Sequence, residues 1–373
     1  GAAAAVALNP DHVFHSRFVA PDVIATFFAT ATVLAAVGIA KKGTWRDYLL
    51  AGVLTGLAAG TKYNAGLVFI AVAAAHVARL DLRSPFRPRD LLFLIGAAAA
   101  AAAAFLLSTP ALIVEPGTVV GAVLGIGRTY GTGHPGQDGG QVVWYARNIW
   151  VTFGPLALFF AASAWSAMRR KDRVLAAAMV FPVVYLVFLC LFTVRNERVM
   201  LPVVPVFAVI SVAGAFMSAD LVPSGAPARW ARTAAPAVLA ALLVVPAARA
   251  FACSRSYAGP QAQAEARQWI DANLPRDARI VVENYGPYVF DTHPGATATD
   301  YLGHASADAY RDEGVEYLVA SKDAFGRFYT DPGSSAVYLT ARDNYESFRK
   351  EFRALATFTD ATQHGVIVYA VSP

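Results

Sequence analysis

The segment 51-AGVLTGLAAGTKYNAGLVFIAVAAAHVARL-80 decides how this chain is read. Two apolar stretches, about 47–60 and 61–80, meet at Gly60-Thr61-Lys62, a tight reversal that sets an ammonium group between them. The first is short of the ~20 residues that cross ~30 Å of hydrocarbon. Such a polar corner is tolerated where it lines a protein cavity instead of facing lipid. Six further apolar stretches lie at about 20–40, 90–109, 149–168, 174–193, 199–217 and 234–252. One of them contains the unbroken run Ala97–Ala104, small side chains that let a helix approach its neighbour closely. The pattern predicts a polytopic α-helical membrane protein with about eight full spans.

Composition agrees. Of 373 residues, 56% are hydrophobic and 15% charged, a balance that cannot cover a soluble surface. The charge is also unevenly placed: residues 1–252 hold 10 of the 26 acidic groups and the remainder lie beyond. The boundary predicts a membrane domain over 1–253 and a water-soluble domain over 254–373. The sequence pI near 9.2 does not indicate nucleic acid, because most basic residues sit in short loops between apolar runs and report topology. Cys190 and Cys253 lie in or beside apolar runs and form no disulfide framework. Gly1 opens directly onto the apolar Ala2–Leu8 without a basic leader. The expectation is that a first span and the loop after it precede this sequence.

Loops near 41–46, 79–89, 169–173 and 229–232 carry most of the Lys and Arg of the membrane region and are expected on the cytoplasmic side. The opposite side then holds 9–22, 110–148, 194–199 and the C-terminal domain. In that domain Gln261–Asn273 reads as a helix, and 278–282, 316–320 and 365–371 read as strands. Tyr345, Phe348, Phe352 and Leu355 recur at helical spacing. These elements predict a small α/β domain without a phosphate loop, metal spacing or nucleophile elbow.

Candidate chemistry concentrates on the non-cytoplasmic side. The stretch 110–148 reads as a long Gly-rich loop carrying Arg128, His134, Gln137, Asp138, Gln141, Trp144 and Tyr145. Aromatic rings and amides together suit a sugar, and they equally suit an interfacial belt. In Thr193-Val194-Arg195-Asn196-Glu197-Arg198 two guanidinium groups match phosphate; pairing with Glu197 or snorkelling to headgroups are the alternatives. Lys62, next to Tyr63 at the polar corner, requires a partner, either a lipid-linked phosphate or Asp22. Asp22 follows Pro21 at the head of a span, where it offsets the helix dipole or serves an acceptor. Asp11, His12 and His15 make a weak metal set, so no metal and no cofactor are expected.

In sequence order these motifs are S-R-F-V-A-P-D at 16–22, A-G-V-L-T-G-L-A-A-G-T-K-Y at 51–63, Gly133-His134 leading to Trp144-Tyr145, and V-R-N-E-R-V-M-L-P-V-V-P at 194–205. Together they resemble the polyprenyl-phosphate-sugar-dependent glycosyltransferases of the GT-C superfamily. The likeness is to the glycosyltransferase family 39-like branch related to protein O-mannosyltransferases and aminoarabinose transferases. The resemblance implies inverting sugar transfer from a polyprenyl-phosphate donor to a hydroxyl of a protein, lipid or glycan acceptor. The expected location is the outer face of a bacterial inner membrane. Carried over residue by residue, Asp22 matches the acidic residue heading an early span and is the catalytic candidate. Lys62, Tyr63, Arg195 and Arg198 match the donor-phosphate contacts, and His134 and Tyr145 loosely match the loop over the substrate. The family's main catalytic acid lies in the first extracytoplasmic loop, which is expected ahead of Gly1. The rival readings are a transporter or flippase of lipid-linked sugars, and an inactive scaffold.

Overall fold

The computed structural model describes residues 1–80, 88–132, 140–219, 226–257, 259, 261–330, 336–361 and 364–371. The described chain divides into two compact units, Gly1–Thr132 with Gly140–Cys253, and the remainder from Ser254.

The first unit is helical: α1 (Ala2–Ala7), α2 (Pro10–His15), α3 (Pro21–Lys41), α4 (Trp45–Thr61), α5 (Phe69–Arg79), α6 (Pro88–Ser108), α7 (Ala111–Val114), α8 (Pro116–Thr132), α9 (Gln141–Phe153), α10 (Leu158–Arg170), α11 (Arg173–Leu189), α12 (Val204–Ala219) and α13 (Ala226–Ser256). Among the described residues five helical stretches are long and apolar enough to cross a membrane: Pro21–Lys41, Arg89–Ser108, Gln141–Arg170, Glu197–Ser218 and Thr233–Ser256. The other expected spans are shorter helices, Trp45–Thr61, Tyr63–Arg79 and Arg173–Leu189. The expected count of eight is therefore not reached by length alone. Thr44 caps α4 through a reciprocal box with Asp47, whose carboxylate accepts the Thr44 N–H at 3.0 Å.

The closest helix pair is α4 on α6. Gly52, Gly56 and Gly60 repeat every four residues along one side of α4. A Cβ on Gly52 would stand 2.2 Å from the carbonyl oxygen of Ala97, and one on Gly56 would stand 2.3 Å from that of Ala101. The alanine run predicted for close packing faces this glycine stripe, so backbone meets backbone. Gly214 brings α12 equally near α10, where its Cβ would lie 2.0 Å from the Phe159 carbonyl oxygen.

The expected long loop at 110–148 is corrected by the structure: α7, α8 and the start of α9 occupy all of its described part. Pro116 supplies a pre-set first-turn φ for α8, and Gly117, Gly121, Gly125, Gly127 and Gly131 lie within that helix. At Gly117, Gly121, Gly125, Gly127 and Gly131 no neighbouring atom lies within 4 Å of where a Cβ would stand.

In the second unit α14 (Ala262–Asn273) leads to β1 (Ile280–Glu283) and β2 (Thr297–Thr299). Next come α15 (Ala307–Asp312), β3 (Tyr317–Ser321), α16 (Lys322–Phe325), α17 (Arg327–Thr330) and α18 (Ala336–Glu351), then β4 (Arg353–Thr359) and β5 (Gly365–Ala370). The sheet order is β2-β1-β3-β5-β4, with the first three strands parallel and β5 and β4 antiparallel. One face packs on Ala262, Ala266 and Ile270 of α14, and the other on Tyr338, Tyr345 and Phe348 of α18. Two strands were not legible in the sequence. β2 is a short edge strand without alternation, and β4 begins where the helical spacing ends, so Leu355 belongs to β4 and not to the helix.

Glu283 knots this unit together. Its buried carboxylate accepts Leu302 N–H at 2.9 Å, Ser321 N–H at 2.7 Å and the Tyr345 hydroxyl. Burial pushes its pKa up to about 7, against the lowering effect of those hydrogen bonds.

Two outcomes follow for stability. Gly56→Ala adds a methyl group against a carbonyl and is expected to destabilise the detergent-solubilised protein by about 2 kcal/mol. Gly121→Ala, pointing into open space, is expected to be neutral or stabilising; a thermal-shift comparison of the two variants checks this. Glu283→Ala leaves three donors unpaired and is expected to cost about 3 kcal/mol at pH 4. The Glu283 pKa is higher folded than unfolded, so ionisation opposes folding and the wild-type advantage shrinks as pH rises from about 4.5 to about 7. Hydrogen exchange of the β1 and β3 amides across that range reads it.

Candidate functional site

Three chain reversals meet at one end of the helical unit. In the first, Asn9 caps α2 by accepting the His12 N–H at 3.0 Å, and Pro21 starts α3 with Asp22 in its first turn. Asp22 is 2% exposed, and its carbonyl accepts the Thr26 hydroxyl at 2.7 Å. In the second, α4 stops at Lys62, which turns extended at φ −155° before a 3-10 turn over Tyr63–Val68. Lys62 Nζ donates to Asp22 Oδ1. Of the two partners open to Lys62 in the sequence, the carboxylate is the one it touches here. A charged pair removed from water holds only when mutually satisfied.

The third reversal is 190–203. Thr193 and Val194 donate their N–H groups to the Tyr130 carbonyl at 2.9 and 3.2 Å, and the Gln141 side chain donates to the Thr193 carbonyl at 2.6 Å. These bonds tie the segment to the end of α8 and the start of α9. Asn196 accepts the Val199 N–H at 3.1 Å and starts a 3-10 turn over Glu197–Val203.

A cavity of about 550 Å³ opens among these reversals. Lys62, Tyr63, Asn64 and Arg198 give it polar groups. Val123, Ile126 and Tyr130 of α8, with Phe188, Leu189 and Phe192, give it an apolar wall. Asn64 donates to the Tyr185 hydroxyl at 2.9 Å, which fixes the floor beside Lys62.

The structure thus gathers Lys62, Tyr63 and Arg198 around one cavity, with Asp22 bonded to Lys62. Arg195 lies apart from that lining: its guanidinium sits 6.0 Å from the Trp144 ring centroid and 3.5 Å from the Gln141 side-chain oxygen. Tyr145, expected on a loop, is inside α9 and 3% exposed, and its hydroxyl has no hydrogen-bond partner among the described residues. Gly140, at φ +69°, is the N-cap of α9. His134, Gln137 and Asp138 lie outside the described residues.

Asp11 and His15 gain weight from their surroundings. Asn148 donates to Asp11 Oδ2 at 3.0 Å. Burial, with a smaller push from the Glu197 charge, raises the Asp11 pKa to about 6 against the effect of that bond. Burial lowers His15 to about 4; Asp22 opposes the shift, and Arg198, Lys62 and Arg17 add to it. His15 is therefore neutral at pH 7 and within electrostatic reach of the Lys62 corner. Asn148 and Asn64 were not singled out in the sequence, although an amide inside an apolar helix is the signal that finds them. Among the described residues no three His, Cys, Asp or Glu side chains group as metal ligands, and Asp11, His12 and His15 do not converge as one.

No curated protein matches this chain. Residues 1–113 match the family model of the dolichyl-phosphate-mannose-protein mannosyltransferases. That range contains Asp11, His15, Asp22, Lys62 and Tyr63, whereas the third reversal with Arg198 lies beyond it. Over these 113 residues the chain is similar to that mannosyltransferase family.

Proposed function

We propose that this protein moves a sugar from a polyprenyl-phosphate donor to an acceptor hydroxyl with inversion at the anomeric carbon. The observation that carries the reading is the two-character cavity: Lys62, Tyr63 and Arg198 at one part, an apolar wall for the rest. A lipid phosphate has the same two characters. Arginine presents a fixed fork to phosphate oxygens, and lysine a point charge. In this reading the isoprenoid lies against Val123, Ile126, Phe188 and Phe192.

The step balances without a cofactor. The acceptor hydroxyl loses its proton to a carboxylate as its oxygen attacks the anomeric carbon from the face opposite the phosphate. The bond from that carbon to the phosphate oxygen breaks, and polyprenyl phosphate leaves with the electron pair. Lys62 and Arg198 stabilise the charge that grows on the leaving oxygen. The resemblance assigns the proton acceptor to the first extracytoplasmic loop; Asp22 then orients Lys62 instead of taking the proton. Arg195, set on Trp144 and Gln141, positions the wall rather than touching phosphate.

The reading also takes the domain from 254 onward as extracytoplasmic, and the membrane as a bacterial inner membrane; the short basic loops on the opposite side support this orientation. Transport of lipid-linked sugars uses the same phosphate contacts but releases no polyprenyl phosphate.

The assay is transfer from a radiolabelled polyprenyl-phosphate sugar by the full-length protein in proteoliposomes. Arg198→Ala and Lys62→Met are each expected to lower kcat/KM by about 10²–10³, the scale of one lost charge-stabilising contact, and Arg195→Ala by about tenfold. Unchanged turnover in Arg198→Ala removes the phosphate role; label crossing the bilayer still attached to its lipid favours transport.

A further inference from the structure

The α/β unit contains a feature its fold does not require. Gly286 N–H donates to the Glu283 carbonyl at 2.9 Å and closes a turn with Asn284 and Tyr285 at its centre. Tyr285 has φ +65°. Positive φ at the third position of a turn suits Gly or Asn, because other side chains crowd the backbone there. Tyr285 is 66% exposed, so core packing does not hold it in that conformation. The next residue leaves no slack: a Cβ on Gly286 would stand 2.8 Å from the Glu283 carbonyl oxygen. Strained backbone under an exposed aromatic side chain is a mark of a functional surface.

Its place in the sheet sharpens the point. β1 is the middle of the three parallel strands, with β2 on one side and β3 on the other. Open α/β sheets take ligands outside the carboxyl ends of parallel strands where the winding reverses, which in the order β2-β1-β3 falls between β1 and β3, so the Asn284-Tyr285 turn leaving β1 borders that point. At that end Asn284 follows β1 and Asp300 follows β2. The Asn284 amide donates to Asp300 Oδ1 at 2.8 Å, and both side chains are exposed. Glu283, beneath them, holds the N–H groups of Leu302 and Ser321, so one buried carboxylate fixes the segment after β2 and the last residue of β3 to the end of β1.

We propose that this edge binds a neutral pyranose unit. The Tyr285 ring stacks on the C–H face of the sugar, and the Asn284–Asp300 pair bonds adjacent hydroxyls, which both donate and accept. The Asp300 carboxylate disfavours a phosphate here, so the ligand differs in class from the one assigned to the membrane cavity. This inference goes beyond that assignment and stands without it.

The test uses the whole chain in a zwitterionic detergent that has no sugar headgroup. Saturation-transfer NMR with mannobiose is expected to show transfer to ring C–H protons, with sorbitol, which lacks a ring face, giving none. Tyr285→Gly is expected to weaken mannobiose binding at least tenfold while the melting temperature of the α/β unit holds or rises, because glycine relieves the turn. Asp300→Ala is expected to weaken it similarly, and Arg198→Ala to leave it unchanged. Four results overturn the proposal: no mannobiose binding by wild type, binding within twofold in Tyr285→Gly, a lowered melting temperature in that variant, or loss of the signal in Arg198→Ala.

Discussion

A largely buried ammonium group between apolar helices has to be neutralised, and the Lys62–Asp22 pair is how this protein does it. The requirement reaches well beyond two side chains. Asp22 is in place only because Pro21 starts α3 where it does, and Lys62 only because α4 ends against α6. The pair fixes the head of α3 to the end of α4, and the cavity begins beside it. Removing one partner strands a buried charge, the costly way to break such a pair.

Small residues let the pair form. Gly60 would meet Ser108 Oγ at 2.0 Å if it carried a Cβ, so α4 reaches its last turn in contact with the end of α6. A bulkier residue along Gly52, Gly56 or Gly60 would tilt α4 and carry Lys62 away from Asp22. The alanine run and the glycine stripe are therefore part of the site's machinery, although no atom of theirs lines the cavity. Interfaces between membrane helices depend on close backbone approach because lipid supplies no hydrophobic drive to bring helices together.

What the sequence made legible follows what each signal measures. Hydropathy gave helices wherever the apolar runs lay, since backbone groups in hydrocarbon have no other way to be satisfied. Lys62 and Tyr63 were legible because a charge between two apolar runs has few explanations. Arg195 and Arg198 looked equivalent in the sequence and are not. Asn196, extended at φ −156°, separates an irregular stretch from a 3-10 turn, so the two guanidinium groups leave the backbone in different settings. Spacing alone does not carry that information. Glycine content misled at 110–132, where glycine signals a turn in water but also occurs freely in helices that meet lipid or other helices. In the α/β unit the central strands were legible from their apolar runs, while the edges β2 and β4, with mixed exposure, had no pattern to read.

The two carboxylates near the cavity stand in different surroundings and cannot share one task. Asp22 is bonded to an ammonium group, which occupies one of its oxygens. Asp11 has an amide for a partner, the Glu197 charge nearby and little water. With its pKa raised to about 6 by burial, Asp11 exchanges a proton within the physiological range. Asp22 is the electrostatic anchor. Asp11, which sequence pattern had placed only in a weak metal set, differs from Asp22 in its partner, an amide in place of an ammonium group.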